Sequence, residues 1–483
     1  MAISGLIDIG ASALAAQRTA IEITGENIAN VNTPGYTRQT AVLETAPIAP
    51  DQRPSSGNGV VVSTIQRTYD AFVQKQILAE NGSNGALTTT DSALQQIEPL
   101  FGDITSDGLG QSLQDFFNSW QDLATNPQGA AERQDVLAKS QSLVDEFHQI
   151  SGSLDSVKQN ANQSLPGLTS DINDKTAQIA QLNLSIRDAE QSGGNANQLL
   201  DKRDQVINDL SQKVGISSLV ESDGTVSVSL TGGPRLVDGV QASVLSVQTN
   251  PADPASSGIV LTHPGDTAGT DITSLLEKTD QGGELGGTLQ VRDVVLSGFS
   301  ANLDELAYSL AVQVNNLHAA GFGLNGSSGV NFFAPPPAPV PPATFASGFS
   351  SAIALNITDG DQIAAASADP TQAGGGTGNN VTALQIADLK DLSLPMSDGS
   401  STLSDFYGAL TGKVGLSVQS SQQAVTTSGN SLQQLDNLRE SISGVSQDEE
   451  LTNLISSQKA FEGAAKLITA GQQMMDTILN LVT

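Results

Sequence analysis

The feature that most constrains this chain is an unbroken heptad pattern at its C-terminal end. Leu451, Leu454, Gln458, Phe461, Ala465, Ile468, Gln472, Met475, Leu479 and Val482 follow one another at alternating steps of three and four. Such spacing over more than four heptads predicts a coiled-coil seam, with Gln458 and Gln472 as the polar positions that fix register. Ser446 and Glu449 form a capping-box signature at its start. Along the seam Lys459 and Lys466 balance Glu462 and Asp476, so neighbouring copies would not repel there. The N-terminal end mirrors it. Between Ile3 and Asn30, Leu6, Ile9, Ala13, Ala16, Ala20 and Ile23 form one stripe, and Ile7, Leu14, Ile21 and Ile28 form another. A helix about 40 Å long with two apolar stripes needs two neighbours. It stops at Asn32-Thr33-Pro34-Gly35, where the residue before proline leaves the helical region and Pro-Gly turns the chain. Two such ends are built to pack against each other and against copies of the same chain.

Charge and composition remove several function classes. With 21 Lys and Arg against 51 Asp and Glu, the formal charge of -30 opposes binding to a nucleic-acid backbone or an anionic membrane surface. No long run of like charges occurs, so the acidity reads as a solubility device. Cysteine is absent, which excludes disulfides, thiolate catalysis and Cys-based metal sites. The start MAISGLIDIG has no basic n-region and no unbroken apolar stretch, so no secretory signal peptide is expected. With no apolar run of spanning length either, the chain reads as cytoplasmic unless exported by a route that reads no cleavable signal.

The expected fold is mainly α with a β insert. Terminal helices, residues 1–35 with 445–483, form a coiled-coil-like bundle. A discontinuous helical domain is drawn from both halves of the chain, 36–213 with 282–326 and 381–444. Within it Val136, Ser140, Leu143, Phe147, Ile150, Leu154, Val157 and Ala161 keep helical spacing, and 168–190 and 196–213 continue in kind. At Val214 the period changes: Thr225 to Leu230 alternates strictly, and Asp-Gly and Gly-Gly-Pro turns punctuate the stretch to 281. Residues 214–281 therefore form a small β-rich insert, which the helical domain should survive losing. Residues 327–380, with their proline and glycine tracts, offer little to bury and read as an exposed arm or irregular loop.

Nothing along the chain assembles into catalytic or cofactor chemistry. His148, His263 and His318 stand far apart and without ligand pairs, so no metal site is expected, and His148 and His318 read as packing residues on helices. Gly321-Phe-Gly-Leu-Asn-Gly326 matches a dinucleotide fingerprint in letters only, because it follows a helix where the fingerprint needs a strand. It reads as a turn. Asn356 to Asp361 lacks the closing Glu of a calcium loop and reads the same way. Neither a catalytic residue nor a cofactor is predicted, and the chain reads as a structural protein and not as an enzyme.

Asn27-Ile-Ala-Asn-Val-Asn-Thr-Pro-Gly-Tyr-Thr-Arg38 resembles the N-terminal signature of the bacterial flagellar rod, hook and hook-associated proteins. Leu199-Leu-Asp-Lys-Arg-Asp204, Gly282 to Asp293, Val314 to Gly326 and Ser443-Gly-Val-Ser-Gln-Asp-Glu-Glu450 are similar to the hook-associated branch that forms the hook-filament junction. The resemblance does not reach 214–281 or 327–380. It implies a secreted axial protein of the flagellum, exported unfolded through the type III apparatus and met by an export chaperone at its C-terminal helix. It further implies a homo-oligomeric ring of about eleven copies, with hook protein below and a second junction protein and filament subunits above. The alternatives are another axial subunit, hook or rod, or a secreted adhesin or hydrolase acting through the β insert.

The residues expected to make the assembly interface are Leu6, Ile7, Ile9, Leu14, Ile21, Ile23, Ile28, Leu451, Leu454, Phe461, Ile468, Met475, Leu479 and Val482. Asn30, Thr33, Pro34, Gly35 and Tyr36 make the signature turn, read as the hinge where the terminal helix enters the next domain.

Overall fold

The computed structural model describes residues 2–47, 57–102, 108–250, 256–277, 282–340, 343–373 and 375–482. Helix α1 (Ala2–Ala29) leads into a hairpin of β1 (Gln39–Thr45) and β2 (Val60–Arg67), paired antiparallel from Gln39↔Arg67 to Thr45↔Val60 with a register shift at Val42/Leu43. Then come α2 (Ala71–Phe101), α3 (Leu109–Thr125), α4 (Ala130–Gln191) and α5 (Asn197–Lys213). Asp70 caps α2 by accepting from the Phe72 and Val73 amides at 2.8 and 3.1 Å. At 62 residues α4 is one helix about 93 Å long, where the periodicity suggested separate segments. Its first half packs with α3 and its second half with α5.

The insert contains β3 (Ile216–Val220), β4 (Val226–Leu230), β5 (Arg235–Asp238) and β6 (Gln241–Ala242) in one sheet in that order. A second sheet holds β7 (Val244–Gln248), β8 (Gly258–Thr262) and β9 (Thr270–Asp271), followed by the short α6 (Thr273–Glu277). The chain returns through α7 (Gly283–Gln290), a π-helical turn at Val291–Val295 and α8 (Leu296–Ala320). After an irregular stretch come α9 (Val381–Ala387) and a hairpin of β10 (Leu394–Met396) with β11 (Gly399–Ser401). The chain ends with α10 (Leu403–Ser443) and α11 (Gln447–Val482). The fold is mainly α with a β insert, as expected, and no helix among the described residues is long and apolar enough to cross a membrane.

The two sheets of the insert do not enclose a core of their own. Val226, Val228, Leu236, Ile259 and Leu261 join one cluster with Leu165, Ile172 and Ile179 of α4, Ile207 and Leu210 of α5, and Leu285 and Leu289 of α7. Two buried arginines tie the parts together. Arg203 donates to the Gly224 carbonyl at 2.8 Å and to Asn183, which itself bonds Val226 on β4. Arg292 donates to the Ser257 carbonyl and to Asn162 of α4 at 2.6 and 2.8 Å. The expectation that the helical domain would survive loss of 214–281 is therefore corrected: removal would open the apolar flanks of α4, α5 and α7 to water.

Two further readings of the sequence are corrected. Residues 39–67 lie within a segment read as helical, yet they carry the β1–β2 hairpin. Residues 327–380 are not an exposed arm as a whole. Phe332, Phe333, Phe349, Ile353, Ile357 and Ile363 are buried in the larger core with α2, α3, α4, α8 and α10. Exposed residues alternate with these buried ones along the segment, Val340 of the proline tract being 80 % exposed; Pro341, Pro342 and Gly374 lie outside the described residues. Apolar residues too widely spaced for a helix or strand period can still fill a core as single plugs, which is why periodicity missed them.

Of the three histidines only His318 is buried; His263 is half-buried, and His148, expected as a packing residue, is exposed on α4. His148 Nε2 lies 2.8 Å from the Ile353 carbonyl, and His263 Nδ1 2.9 Å from the Ser243 hydroxyl. His318 is buried against the rings of Trp120 and Phe332, its Nε2 accepting from the Ala364 amide at 3.0 Å while Nδ1 donates to the Val330 carbonyl at 2.7 Å. Burial pushes its pKa down to about 4. A histidine free in the unfolded chain binds its proton below about 6.5, so the unfolded state carries more protons between the two values. Folding stability should be full above pH 6.5 and fall by up to about 3 kcal/mol as pH drops to 4. Melting curves across that range check this, and His318→Gln should flatten the slope.

A candidate assembly joint and terminal helix pair

Helices α1 and α11 run antiparallel. Asn27 meets Glu450 at one end, and Ile7 lies against Gly471 near the other. Close approach depends on glycine, since a Cβ on Gly10 would fall 2.6 Å from Ile468 Cγ1. Glu450, Leu454, Ser457, Ala464, Ile468 and Gly471 of α11 are buried or half-buried, as are Ala465 and Ala470; the first six form a row at steps of three, four and seven that faces α1. Of the expected interface residues, Leu454 and Ile468 are half-buried on this row, and Phe461 is 38 % exposed. Leu451, Met475 and Leu479 are exposed, and the side chain of Val482 lies outside the described residues.

On α1, Ile23 is buried, and Leu6, Ile7, Ile9, Leu14, Ile21 and Ile28 are half-buried. Its second neighbour is the β1–β2 hairpin of the same chain. The Val60 amide donates to the Ser12 hydroxyl at 3.3 Å, and a Cβ on Gly59 would fall 3.3 Å from Ile9 Cα. Because Ile7 stands opposite Gly471, α11 overruns the start of α1 by about two turns. That overhang carries Ile478 and Leu479, which are 47 % and 59 % exposed.

The pair is fastened to the rest of the molecule at one polar joint. Residues 30–35 turn the chain after α1, with Asn30 accepting from the Thr33 hydroxyl at 3.1 Å and Gly35 at a φ of 77°, which favours glycine. The Pro34 carbonyl accepts from Gln205 of α5 at 3.1 Å. Asn27 is the hub. Its amide donates to the Gln39 carbonyl at 2.9 Å and to Glu450 at 3.0 Å, while its oxygen accepts from the Tyr36 hydroxyl at 2.9 Å and the Gln39 amide at 3.0 Å. All four hydrogen-bonding positions of that side chain are thus filled. Burial, reinforced by the nearby Glu26 carboxylate, pushes the Tyr36 phenol above its ordinary pKa, so it remains a donor. Arg38 Nε donates to Glu450 at 2.8 Å, and the Arg38 amide donates to the Ser443 carbonyl at 2.9 Å.

One step further along, Thr37 donates to Asp201 of α5 through its amide and hydroxyl, at 3.1 and 2.6 Å. Arg67, at the end of β2, pairs with Asp201 at 3.0 Å and Asp204 at 2.6 Å and lies over the Tyr69 ring at 4.5 Å. Burial lifts the Asp204 carboxyl against the pull of Arg67, and burial with Asp204 pushes Tyr69 up to about 12. The segments 27–38, 199–204 and 443–450 therefore converge, although 238 residues lie between the last two.

The segment from Gly282 serves elsewhere. Gly283, at a φ of 65°, and Gly287 let α7 approach the end of α5 and the backbone of α2 at Ala86, where a Cβ would fall 2.5 and 2.7 Å from backbone atoms. Gly321–Gly326 is a turn after α8, and Asp359 caps a short 3-10 turn by accepting from the Asp361 amide. Among the described residues no cluster of three or more His, Cys, Asp or Glu could hold a metal ion.

The family model described as "Flagellar hook-associated protein FlgK helical domain" matches residues 94–333. Those for "Flagella basal body rod protein" and "Flagellar basal body rod FlgEFG protein C-terminal" match 7–37 and 440–481. The chain is 29 % identical to flagellar hook-associated protein 1 of Escherichia coli (strain K12), over 99 % of this chain and 100 % of that protein. The chain belongs to the flagellar hook-associated protein 1 family. It is also 29 % identical to the Bacillus subtilis (strain 168) member, covering 97 % of this chain and 96 % of that one. The solved flagellar hook junction protein FlgK from Burkholderia pseudomallei shares the fold, with a TM-score of 0.64 at 19 % identity over 76 % of this chain and all of that one.

Hook-associated proteins are structural components of the flagellum and not enzymes. Placement in this family accords with the geometry, since the two rod-type matches cover α1 and α11 and meet at the joint just described. Sequence reasoning missed Asn27 as hub, Arg67 as the second clamp and Glu450 as a buried acceptor. Only the quoted segments hinted at them, because a polar hub on a helix has no periodic signal.

Proposed function

We propose that this chain forms the ring between hook and filament, exported unfolded through the type III apparatus without a cleaved signal. Residues 1–35 and 445–483 act as its inner-tube unit, and the remaining domains stand outside. About eleven copies close the ring, with hook protein below and a second junction protein and filament subunits above. An export chaperone takes the C-terminal helix before assembly. The observation that carries this reading is the terminal pair itself. An antiparallel α1–α11 unit, half-buried along one side, leaves Leu451, Ile455, Met474, Met475 and Ile478 exposed on a stretch of zero net charge. Burying each in a polymer would contribute roughly 1.5 to 3 kcal/mol.

A chromosomal deletion of the gene tests it. Cells should keep their hooks, lack filaments and release filament subunits into the medium, and a labelled copy restored to them should sit at the hook tip. A deletion strain with normal filaments, or label along the whole filament, would rule the junction role out.

A further inference from the structure

A groove runs between α2 and α10 on the outer domain, away from the joint. Leu87 and Leu94 of α2 face Leu416 and Ala424 of α10 across it, and its lining extends from Ala409 to Ser431, about 33 Å along the helix. Three features set it apart from ordinary surface. Leu416 is 68 % exposed in its wall. Between the longer Lys413, Leu416, Gln419 and Gln423, the α10 wall carries the small residues Ala409, Gly412, Ser417, Ser420, Ser421 and Ala424, which leave room for a ridge of another helix. Ser421 is itself 8 % exposed, lines the groove, and has a hydroxyl with no hydrogen-bond partner in the chain.

Charge says which partner fits. The molecule carries 51 acidic residues against 21 basic ones, so two copies repel wherever their acidic surfaces meet. From Tyr407 to Leu435, Lys413 is the single charged residue of α10. The groove as a whole is lined by one acid, Glu80, which accepts from the Ser428 hydroxyl at 2.6 Å, and by Lys413. A basic partner would be served by the acidic surface found elsewhere. A neutral face with a hydroxyl and amide rim is what a partner of the same strong negative charge requires, since like charges across an interface are costly.

We propose that this groove takes a helix ridge from a second copy of the same chain, so that neighbouring outer domains touch through it. The inference rests on the ring reading and adds the outer contact to it.

Because the chain has no cysteine and the wall residue is exposed, a photoreactive benzoylphenylalanine placed at Leu416 reports the neighbour directly. In purified flagella it should give an adduct of twice the chain mass. Ser420→Glu, which adds a negative charge at an exposed groove position, should lower that adduct by about tenfold, while Ser420→Gln, of the same size, should not. If the chain sits at the junction and the adduct is missing or joins another polypeptide, the groove proposal is overturned and the junction role stands. Should the chain be absent from the junction, the ring reading fails, and the groove is decided on the concentrated purified chain. There the same double-mass adduct supports the contact and its absence overturns it.

Discussion

Phe461→Glu should be exported and fold, yet fail to build a junction. In the single chain Phe461 is 38 % exposed on the α1-facing side of α11. The charge can therefore turn to water, and the melting temperature of the monomer should move little. In the proposed polymer neighbours would enclose this position, and a buried, unpaired carboxylate there would cost several kcal/mol. In a closed ring the cost recurs at every copy, so even a modest penalty per subunit removes the assembly. Cells carrying the variant should shed filament subunits into the medium. Ser456→Glu is the matched control, exposed on the same helix and three residues from Lys459. If Phe461→Glu assembles as the control does, α11 is not the assembly seam.

Glu450→Ala should act at the joint instead. The side chain of Glu450 is 3 % exposed and accepts from both Asn27 and Arg38. Removing it leaves the buried Asn27 amide short of one acceptor and Arg38 with only the exposed Glu449, 3.5 Å away. Breaking a buried pair costs about 3 to 5 kcal/mol, and because Arg38 is 26 % exposed and can partly re-solvate, about 2 to 3 kcal/mol is expected here. Glu450→Gln keeps the shape but offers one acceptor where two are needed, so its loss should be intermediate. The change should appear as faster hydrogen exchange along α1 and α11, while the protection of α3 and α4 stays as in the parent. Unaltered exchange in α11 would show that the joint does not hold the terminal pair.

The sequence by itself determined the α1 and α11 helices, the period change at Val214 and the absence of thiol chemistry, because each is written in local spacing or composition. Amphipathic period and turn residues act within a few positions of the chain, so no folded context is needed to read them. The family segments were legible as well, but only as separate strings of residues. What the tertiary structure decided is where those strings meet. Asn27, Asp201 and Glu450 lie far apart in the chain, and nothing in their local spacing specifies that one amide will serve the turn, the hairpin and α11 together. The second neighbour of α1 was left open for the same reason. An apolar stripe states that a partner is required, and it does so in the same way whether that partner is a helix of another copy or the β1–β2 hairpin. The insert follows this rule too: alternation marked its strands, but a strand's inward face does not say what it covers, and here it covers the flanks of α4, α5 and α7. Hydrophobic burial is non-directional, so the choice of partner is made by the chain's whole path and not by any one segment of it.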